Sequence, residues 1–237
     1  MQITRRMFSL GATSLGLSAC GVAPRLPSAP AAGLPPDLLP APNAAYDAWG
    51  IAFRERALAE GIAPSTLNSA FRGAGFLPGV VQRDGYQTEF TRTLEDYLSI
   101  AASDERIAKG RRALAQHRST LLAIEDRFGV SPEILTAIWG LESFYGERQG
   151  LIPVISATST LAYEGRRERF FTAQLLAALR IVENGDIAAS RMTGSWAGAM
   201  GHTQCMPTAY QDYAVDFRGD GRRDIWSADP TDALAST

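Results

Sequence analysis

Several residue types and patterns are scarce in this chain, and each scarcity excludes something. Its 237 residues contain only two cysteines, so at most one disulfide could form. No apolar run approaches the roughly 20 residues of a membrane-spanning helix. The 23 lysines and arginines are balanced by 25 aspartates and glutamates and form no basic block, so nothing indicates a nucleic-acid partner. With 46% hydrophobic residues, the composition is that of a globular protein with ample material for a core.

The N-terminus has the pattern of an export signal. Arg5 and Arg6 precede a short apolar segment, residues 7–19, and resemble the start of a twin-arginine signal. The segment ends in Leu-Ser-Ala-Cys-Gly, which resembles the lipobox of bacterial lipoproteins. Residues 1–20 are therefore predicted to be a lipoprotein signal peptide with lipidation at Cys20. An ordinary cleaved signal with a coincidental cysteine is the alternative.

Residues 21–42 are rich in proline and alanine, a composition that favours extended and poorly packed chain. They are predicted to tether the membrane anchor to a folded domain over residues 43–237. If Cys20 carries lipid, the second cysteine, Cys205, is predicted to be a free and packed thiol. The prolines of the tether are Pro24, Pro27, Pro30, Pro35, Pro36, Pro40 and Pro42.

The apolar spacing of the folded part predicts a mainly α protein. Helices are predicted over residues 46–60, after Pro64 to residue 71, in a longer set over 88–128, and over 172–183. Strand signals are scarce, and the best candidate for extended structure is residues 151–155. A further helix is predicted to begin after Asp232.

One predicted helix ends in an unusual carboxylate. Ser131 suits the N-cap and Pro132 the first helical position, and the helix runs into Ile-Trp-Gly-Leu-Glu-Ser-Phe-Tyr-Gly. Counting at about 3.6 residues per turn places Glu142 one turn beyond Ile138, on the side that also carries Ile134 and Leu141. The spacing thus predicts an inward carboxylate, which needs either a partner or a reason to stay protonated.

A glycine-rich stretch follows later in the chain. Gly194, Gly198 and Gly201 fall within eight residues, a density that permits close backbone approach and positive φ. Such a loop suits the wall of a ligand groove, although a tight surface crossover has the same composition.

Three motifs in the same order resemble a known family. Gly-Leu-Glu-Ser-Phe-Tyr-Gly at 140–146, Ala-Gly-Ala-Met-Gly-His-Thr-Gln-Cys-Met-Pro at 197–207 and Tyr-Ala-Val-Asp-Phe-Arg-Gly-Asp-Gly at 213–221 are similar to those of the membrane-bound lytic murein transglycosylases of the B type. The resemblance runs from about Tyr46 to the C-terminus. It implies a lysozyme-like catalytic domain with additional N-terminal helices. Because the family continues past Thr237, the domain is expected to be C-terminally truncated.

The resemblance implies cleavage of the β-1,4 bond between N-acetylmuramic acid and N-acetylglucosamine in peptidoglycan. Glu142 would be the sole catalytic acid and then base, and the products would carry 1,6-anhydromuramoyl ends. No second acidic residue stands out as a nucleophile, which agrees with this single-carboxylate scheme. A hydrolytic muramidase and a non-catalytic peptidoglycan-binding lipoprotein remain as alternatives.

The resemblance also implies a set of substrate contacts. Cys205 departs from the family, which usually has an aromatic residue there, so one sugar-stacking contact is not expected here. Tyrosine faces suit sugar rings, although each candidate could equally be packed in the core. The expected substrate-binding residues are Ser195, Gln204, Met206, Tyr97, Tyr145 and Tyr163.

The third motif resembles the start of an EF-hand loop, and some family members bind calcium there. Oxygen ligands stand at its first and fifth positions, but Arg218 occupies the third and no glutamate stands at the twelfth. Asp232 could close a site only from a longer loop. No cofactor is expected to be required; Ca²⁺ is a possible one, and a metal-free loop held by arginine–aspartate pairs is the preferred alternative. The candidate calcium ligands are Asp216, Asp220 and Asp224.

The expected setting follows from these parts. The export signal and lipobox predict a periplasmic protein anchored to a bacterial membrane, the outer membrane by preference. Its expected partners are peptidoglycan strands and the lipid bilayer, and it is expected to act as a monomer.

Overall fold

A computed structural model describes residues 33–85 and 93–237. The predicted signal peptide, the lipidation site Cys20 and most of the predicted tether lie outside the described residues. The α-helices are α1 (Ala44–Ala59), α2 (Pro64–Ala70), α3 (Pro78–Gly85), α4 (Leu94–Ala101), α5 (Asp104–Gln116), α6 (Arg118–Phe128), α7 (Pro132–Ser143), α8 (Val154–Glu164), α9 (Glu168–Glu183), α10 (Pro207–Tyr213) and α11 (Thr231–Ser236).

The prediction of a mainly α protein is confirmed. Two short strands, β1 (Ile152–Pro153) and β2 (Thr193–Gly194), pair antiparallel, with Ile152 opposite Gly194. Short 3₁₀ turns cover Pro36–Leu38 and Ala189–Arg191. None of the helices in the described part of the chain is long and apolar enough to cross a membrane.

The end of the predicted tether is part of the folded body. Leu38 is buried, the Ala41 amide donates to the Phe76 carbonyl over 2.8 Å, and Arg83 forms an ion pair with Asp37. The prediction of a poorly packed chain up to residue 42 is therefore wrong for residues 34–42. Their prolines favour extended backbone, but an apolar side chain and two polar contacts hold that backbone against α3.

The centre of the fold is α8, which the sequence did not predict. Residues 154–162 are all buried, and α9 packs along them. The hydroxyls among them are hydrogen-bonded: Thr158 donates to the Val154 carbonyl one turn earlier over 2.7 Å, and Thr160 accepts from the distant Leu77 amide over 3.1 Å. Serines and β-branched residues are poor helix formers, so tertiary burial overrides local propensity here. Only Ile152 and Pro153 of the predicted extended segment are strand.

A second core region holds the helix that carries Glu142. Leu135 and Trp139 of α7 pack with Leu121 and Ile124 of α6, and Leu234 of α11 closes the cluster. The C-terminal end of α7 is thereby fixed between elements from distant parts of the chain. The helix predicted after Asp232 is α11, which begins at Thr231.

Candidate active site

Glu142 lies in the last turn of α7, on the solvent side of the helix. The buried face consists of Leu135, Thr136, Trp139, Gly140 and Ser143, while Ile134 and Leu141 are about half exposed. Glu142 itself is exposed. The prediction that this carboxylate faces the core is therefore wrong, because the stripe of isoleucine and leucine on which it rested is not the packed one.

The exposed position does not make Glu142 an ordinary surface carboxylate. Among the described residues, none donates a hydrogen bond to it or forms an ion pair with it. Partial burial of the carboxyl disfavours its charged form and raises its pKa above the usual value for glutamate. A carboxyl that holds its proton at higher pH, and that no neighbour neutralises, is suited to general acid work.

The chain turns sharply after Glu142, and the turn is strained. Phe144 and Tyr145 both have positive φ, 53° and 62°, which non-glycine residues rarely adopt. Ser143 fixes the turn, since its hydroxyl donates to the His202 carbonyl and accepts from the Gly146 amide over 2.9 Å. Strain of this kind persists only where surrounding contacts hold it, and it is concentrated at functional sites.

Cations surround the ring of Phe144. Lys109 lies 4.4 Å and Arg148 4.6 Å from the ring centroid, with Arg106 at 5.5 Å. Lys109 also forms an ion pair with Glu147. The contacts with the Phe144 ring stabilise the turn. The ion pair with Lys109 neutralises Glu147, the acidic residue that follows Glu142 most closely in the sequence.

His202 joins α7 to two later segments. Its Nδ1 accepts from Trp139 Nε1 over 3.1 Å, and its Nε2 donates to the Ser227 carbonyl over 2.7 Å. Together the two bonds require a neutral imidazole with its proton on Nε2, because a protonated Nδ1 could not accept the bond from Trp139. Burial lowers the pKa of His202, against the opposing effects of the Ser227 carbonyl, Asp224 and Asp229. The imidazole is therefore a neutral connector between helix and loops.

This arrangement predicts an acid-sensitive fold. Because the pKa of His202 is lower in the folded state, the unfolded chain binds more protons, and the free energy of unfolding should fall as pH drops below about 6.5. We expect the melting temperature to decrease between pH 7 and pH 5, and His202→Gln to remove most of that decrease. His117→Gln is the comparison: burial lowers the pKa of His117 as well, but that histidine is only half-buried, so its replacement should remove less of the decrease. An unchanged pH slope in His202→Gln would contradict the prediction.

The glycine-rich loop, residues 194–206, contains three of the predicted substrate residues, Ser195, Gln204 and Met206. Ser195 Oγ accepts from the Ala199 amide over 3.0 Å, which closes a tight turn and leaves its hydroxyl proton available. Gln204 has a φ of 50°, and its Nε2 donates to the carbonyls of Gln149 and Gly201. Both residues thus hold the loop together. The Ser195 O–H and the Gln204 Oε1 form no hydrogen bond among the described residues, so each side chain keeps one polar group for a ligand.

Met206 and Cys205 complete the loop. Met206 is half-buried and precedes α10 as its N-cap residue. Cys205 is a free cysteine, and its backbone exchanges two hydrogen bonds with Met200. Burial raises the pKa of the Cys205 thiol to about 11, so a reactive thiolate is disfavoured.

The three predicted tyrosines lie in two different places. Tyr97 and Tyr145 line one open apolar cavity of 490 Å³ between α4, α5 and α7, together with Leu141. The Tyr145 hydroxyl donates to the Arg106 carbonyl over 2.9 Å. Tyr163 instead packs edge-on against Tyr46 and Phe76, in an aromatic cluster on α1 and α8. The first two tyrosines adjoin the end of α7, whereas Tyr163 is part of the packing around α1.

The predicted calcium ligands are only partly brought together. Oxygens of Asp216, Asp220 and Asp232 lie within 4.8 Å of one another, so the third member is Asp232 and not Asp224. Asp224 Oδ1 instead accepts from the amides of Trp226 and Ser227. The inclusion of Asp224 in the ligand set is therefore wrong, because its carboxylate closes a local turn.

Comparison with known proteins identifies the family. A family model described as Transglycosylase SLT domain matches residues 45–237. The chain belongs to this family. The resemblance to B-type lytic murein transglycosylases that the three motifs predicted is thereby confirmed.

Relatives of this SLT domain include proteins of known structure. Membrane-bound lytic murein transglycosylase B of Escherichia coli (strain K12) is 39% identical over 110 residues, which make up 46% of this chain and 30% of that protein. SltB3 from Pseudomonas aeruginosa, in complex with NAG-NAM-pentapeptide, is 50% identical with a TM-score of 0.78, over 82% of this chain and 52% of that chain. SltB3 has also been solved with NAG-anhNAM-pentapeptide. The Escherichia coli lytic transglycosylase SLT35, in complex with calcium, is 27% identical with a TM-score of 0.69, over 82% of this chain and 61% of that one.

The SLT domain described here spans about half the length of SltB3 and less than two thirds of SLT35. Within it, sequence reasoning missed the connector His202 and its partners Trp139 and Ser143. The sequence signal for these three residues was their position. Each lies inside a stretch that the sequence analysis selected because of neighbouring residues.

Proposed function

We propose that this SLT domain cleaves the β-1,4 bond between N-acetylmuramic acid and N-acetylglucosamine in peptidoglycan by transglycosylation. The observation that carries the proposal is Glu142, a carboxyl of raised pKa at the end of α7 that pairs with no described residue. Two facts about the relative SltB3 support the substrate and the product. Its structures hold NAG-NAM-pentapeptide and NAG-anhNAM-pentapeptide, and it is 50% identical to this chain.

Glu142 carries the proton through the whole reaction in this proposal. The carboxylic acid protonates the glycosidic oxygen as the bond to muramic acid C1 breaks, and N-acetylglucosamine leaves with that proton. The carboxylate then takes the proton of the muramoyl C6 hydroxyl, whose oxygen closes on C1. The acetamido oxygen of the substrate stabilises the cationic centre meanwhile. Glu142 ends protonated, ready for another cycle.

A single carboxylate suffices because the attacking hydroxyl belongs to the substrate. A muramidase of the paired-carboxylate type would instead use a second carboxylate to activate water. The next acidic residue along the chain, Glu147, is in an ion pair with Lys109 and so is less suited to act as a base. The support for transglycosylation over hydrolysis is the NAG-anhNAM-pentapeptide bound in the structure of SltB3.

The substrate contacts are assigned from groups left free by the local packing. Ser195 O–H and Gln204 Oε1 supply a donor and an acceptor from the glycine-rich loop, and Met206 extends the same wall. Tyr97 and Tyr145 offer aromatic faces in the cavity beside Leu141, where sugar rings could stack. Tyr163 is a weaker candidate, because its ring already packs against Tyr46 and Phe76.

We place the protein in the periplasm as a monomer, tethered to the outer membrane by lipid on Cys20. The support is the sequence of residues 1–21 and the membrane-bound relative from Escherichia coli. SLT35 binds calcium, but no step of the reaction proposed here passes through a metal. The partners are then glycan strands and the bilayer.

The products of sacculus digestion distinguish the candidate functions. Purified sacculi should be incubated with the protein from Gly21 onward and the soluble muropeptides weighed by mass spectrometry. Transglycosylation gives anhydromuramoyl ends, each lighter by one water than the reducing end left by hydrolysis. Reducing ends would replace the proposal with a muramidase. Binding to sacculi without any release would indicate a non-catalytic peptidoglycan-binding lipoprotein.

A further inference from the structure

The segment from residue 216 to 232, called the aspartate loop here, gathers four carboxylates around the guanidinium of Arg218. Arg218 Nη1 lies 3.3 Å from Asp229, and Arg218 Nη2 lies 3.3 Å from both Asp220 and Asp232. Asp224 is also near, at 3.9 Å. These carboxylates repel one another, and a cation close to them offsets that repulsion.

The buried carboxylate of Asp232 has the greatest need of a nearby cation. Its side chain is fully buried, and its Oδ1 accepts from the amides of Phe217 and Arg218 while its Oδ2 accepts from the Asp224 amide. Removing such a carboxylate from water costs several kcal/mol unless an opposite charge compensates it. Among the described residues, the guanidinium of Arg218 is the group that does so, over 3.3 Å.

The acidic groups would otherwise suit a divalent cation. Oxygens of Asp216, Asp220 and Asp232 lie within 4.8 Å of one another, a spacing compatible with calcium ligands. The guanidinium of Arg218, however, already contacts two of the three. A calcium ion there would have to displace it or accept a like charge beside it, so the residues do not fit a resident metal.

We propose that Arg218 is the built-in cation of the aspartate loop and replaces a divalent metal ion in holding it folded. Burial opposes the charge on Arg218, but Asp232, Asp220 and Asp229 together raise its pKa, so it stays cationic at every relevant pH. The backbone of the loop holds His202, through the carbonyls of Ile225 and Ser227. Arg218 is thus a positioning residue for the connector beside α7.

The test compares melting temperatures of the full chain in EDTA, in calcium chloride and in magnesium chloride. Wild-type protein should melt at one temperature in all three. Arg218→Asp should melt roughly 5–15 °C lower in EDTA, because it leaves buried Asp232 uncompensated, and calcium should restore most of the loss. Arg222→Asp makes the same change of charge in the same loop at an exposed residue that forms no ion pair with any described residue, and it should respond to none of the ions.

Several outcomes would overturn the proposal. One is a wild-type protein that calcium stabilises or EDTA destabilises, and another is an Arg218→Asp protein as stable as wild type in EDTA. A loss that calcium leaves uncorrected would show that Arg218 does not take the place of a metal. If Arg218→Asp fails to fold at all, the melting temperatures of Arg218→Lys and Arg218→Gln are compared instead. Arg218→Lys should melt at the higher temperature, because lysine retains the positive charge. Equal melting temperatures for that pair would contradict the inference. None of these readouts depends on lytic activity.

Discussion

Replacing Glu142 with glutamine should reduce the release of muropeptides from sacculi at least about 1000-fold. General acid and base steps are each worth about 10²–10⁴, and here one carboxyl performs both. Stability should not suffer, because no described residue pairs with the carboxylate and its charged form is disfavoured by burial. A melting temperature equal to or slightly above that of wild type, together with lost activity, is the expected result.

The matched control for this substitution is Glu55→Gln. Glu55 is an exposed carboxylate on α1, so the chemical change is the same at a site far along the chain from α7. We expect its muropeptide release to equal that of wild type. Activity of Glu142→Gln within tenfold of this control would contradict the assignment of Glu142 as the acid.

The pH profile gives a second view of the same residue. Cleavage needs the protonated carboxyl, so kcat/KM should fall as pH rises through the pKa of Glu142. Burial raises that pKa, and the alkaline decline should therefore begin above the range of an ordinary glutamate, about 4.3. A decline centred on the ordinary value would mean that the carboxyl is fully solvated in the free enzyme.

Gly150→Ala should be among the most destabilising single substitutions in the chain, at about 3–6 kcal/mol. Gly150 has a φ of 87°, and a Cβ there would lie 2.1 Å from the Gly194 carbonyl oxygen and 2.7 Å from the Ser195 amide nitrogen. Neither backbone atom can move without breaking the pairing of β1 with β2. Urea unfolding should show the loss, and muropeptide release should fall as Ser195 is displaced.

The variant Gly185→Ala separates the two contributions to that loss, which are the strain of a positive φ and the clash of the added Cβ. Gly185 also has a positive φ, 82°, but nothing lies within 4 Å of its added Cβ. It should lose only the conformational part, about 1–2 kcal/mol. If the two variants unfold at the same urea concentration, the close approach of the two backbones contributes nothing.

The start of α7 could be predicted from sequence, but its packed face could not. Ser131 and Pro132 are strong start signals, and the helix begins where they indicate. The face was misassigned because apolar spacing weighs Ile134 and Leu141 as core residues. In the structure Leu141 borders an open cavity, while Gly140 faces inward and leaves room for the Tyr145 ring.

Long-range partners explain most of the other differences. Asp232 lies 16 residues beyond Asp216, and no local motif connects them, yet it is the carboxylate that joins the acidic group. The strain at Phe144 and Tyr145 also has no sequence signature, since aromatic residues ordinarily avoid positive φ. Contacts with Ser143, His202 and the cations around Phe144 impose it.

The buried helix α8 has a consequence for how this domain opens. A segment of serine, threonine and β-branched residues is a poor helix on its own, so α8 keeps its helical hydrogen bonds only while its neighbours surround it. Tyr46 of α1, Leu77 before α3 and the glycine-rich loop beside Thr158 all close on it. Partial unfolding that exposes α8 would melt it as well. The amides of α8 should therefore exchange with solvent only through cooperative unfolding of the whole body, which joins the N-terminal helices and the glycine-rich loop into a single folding unit.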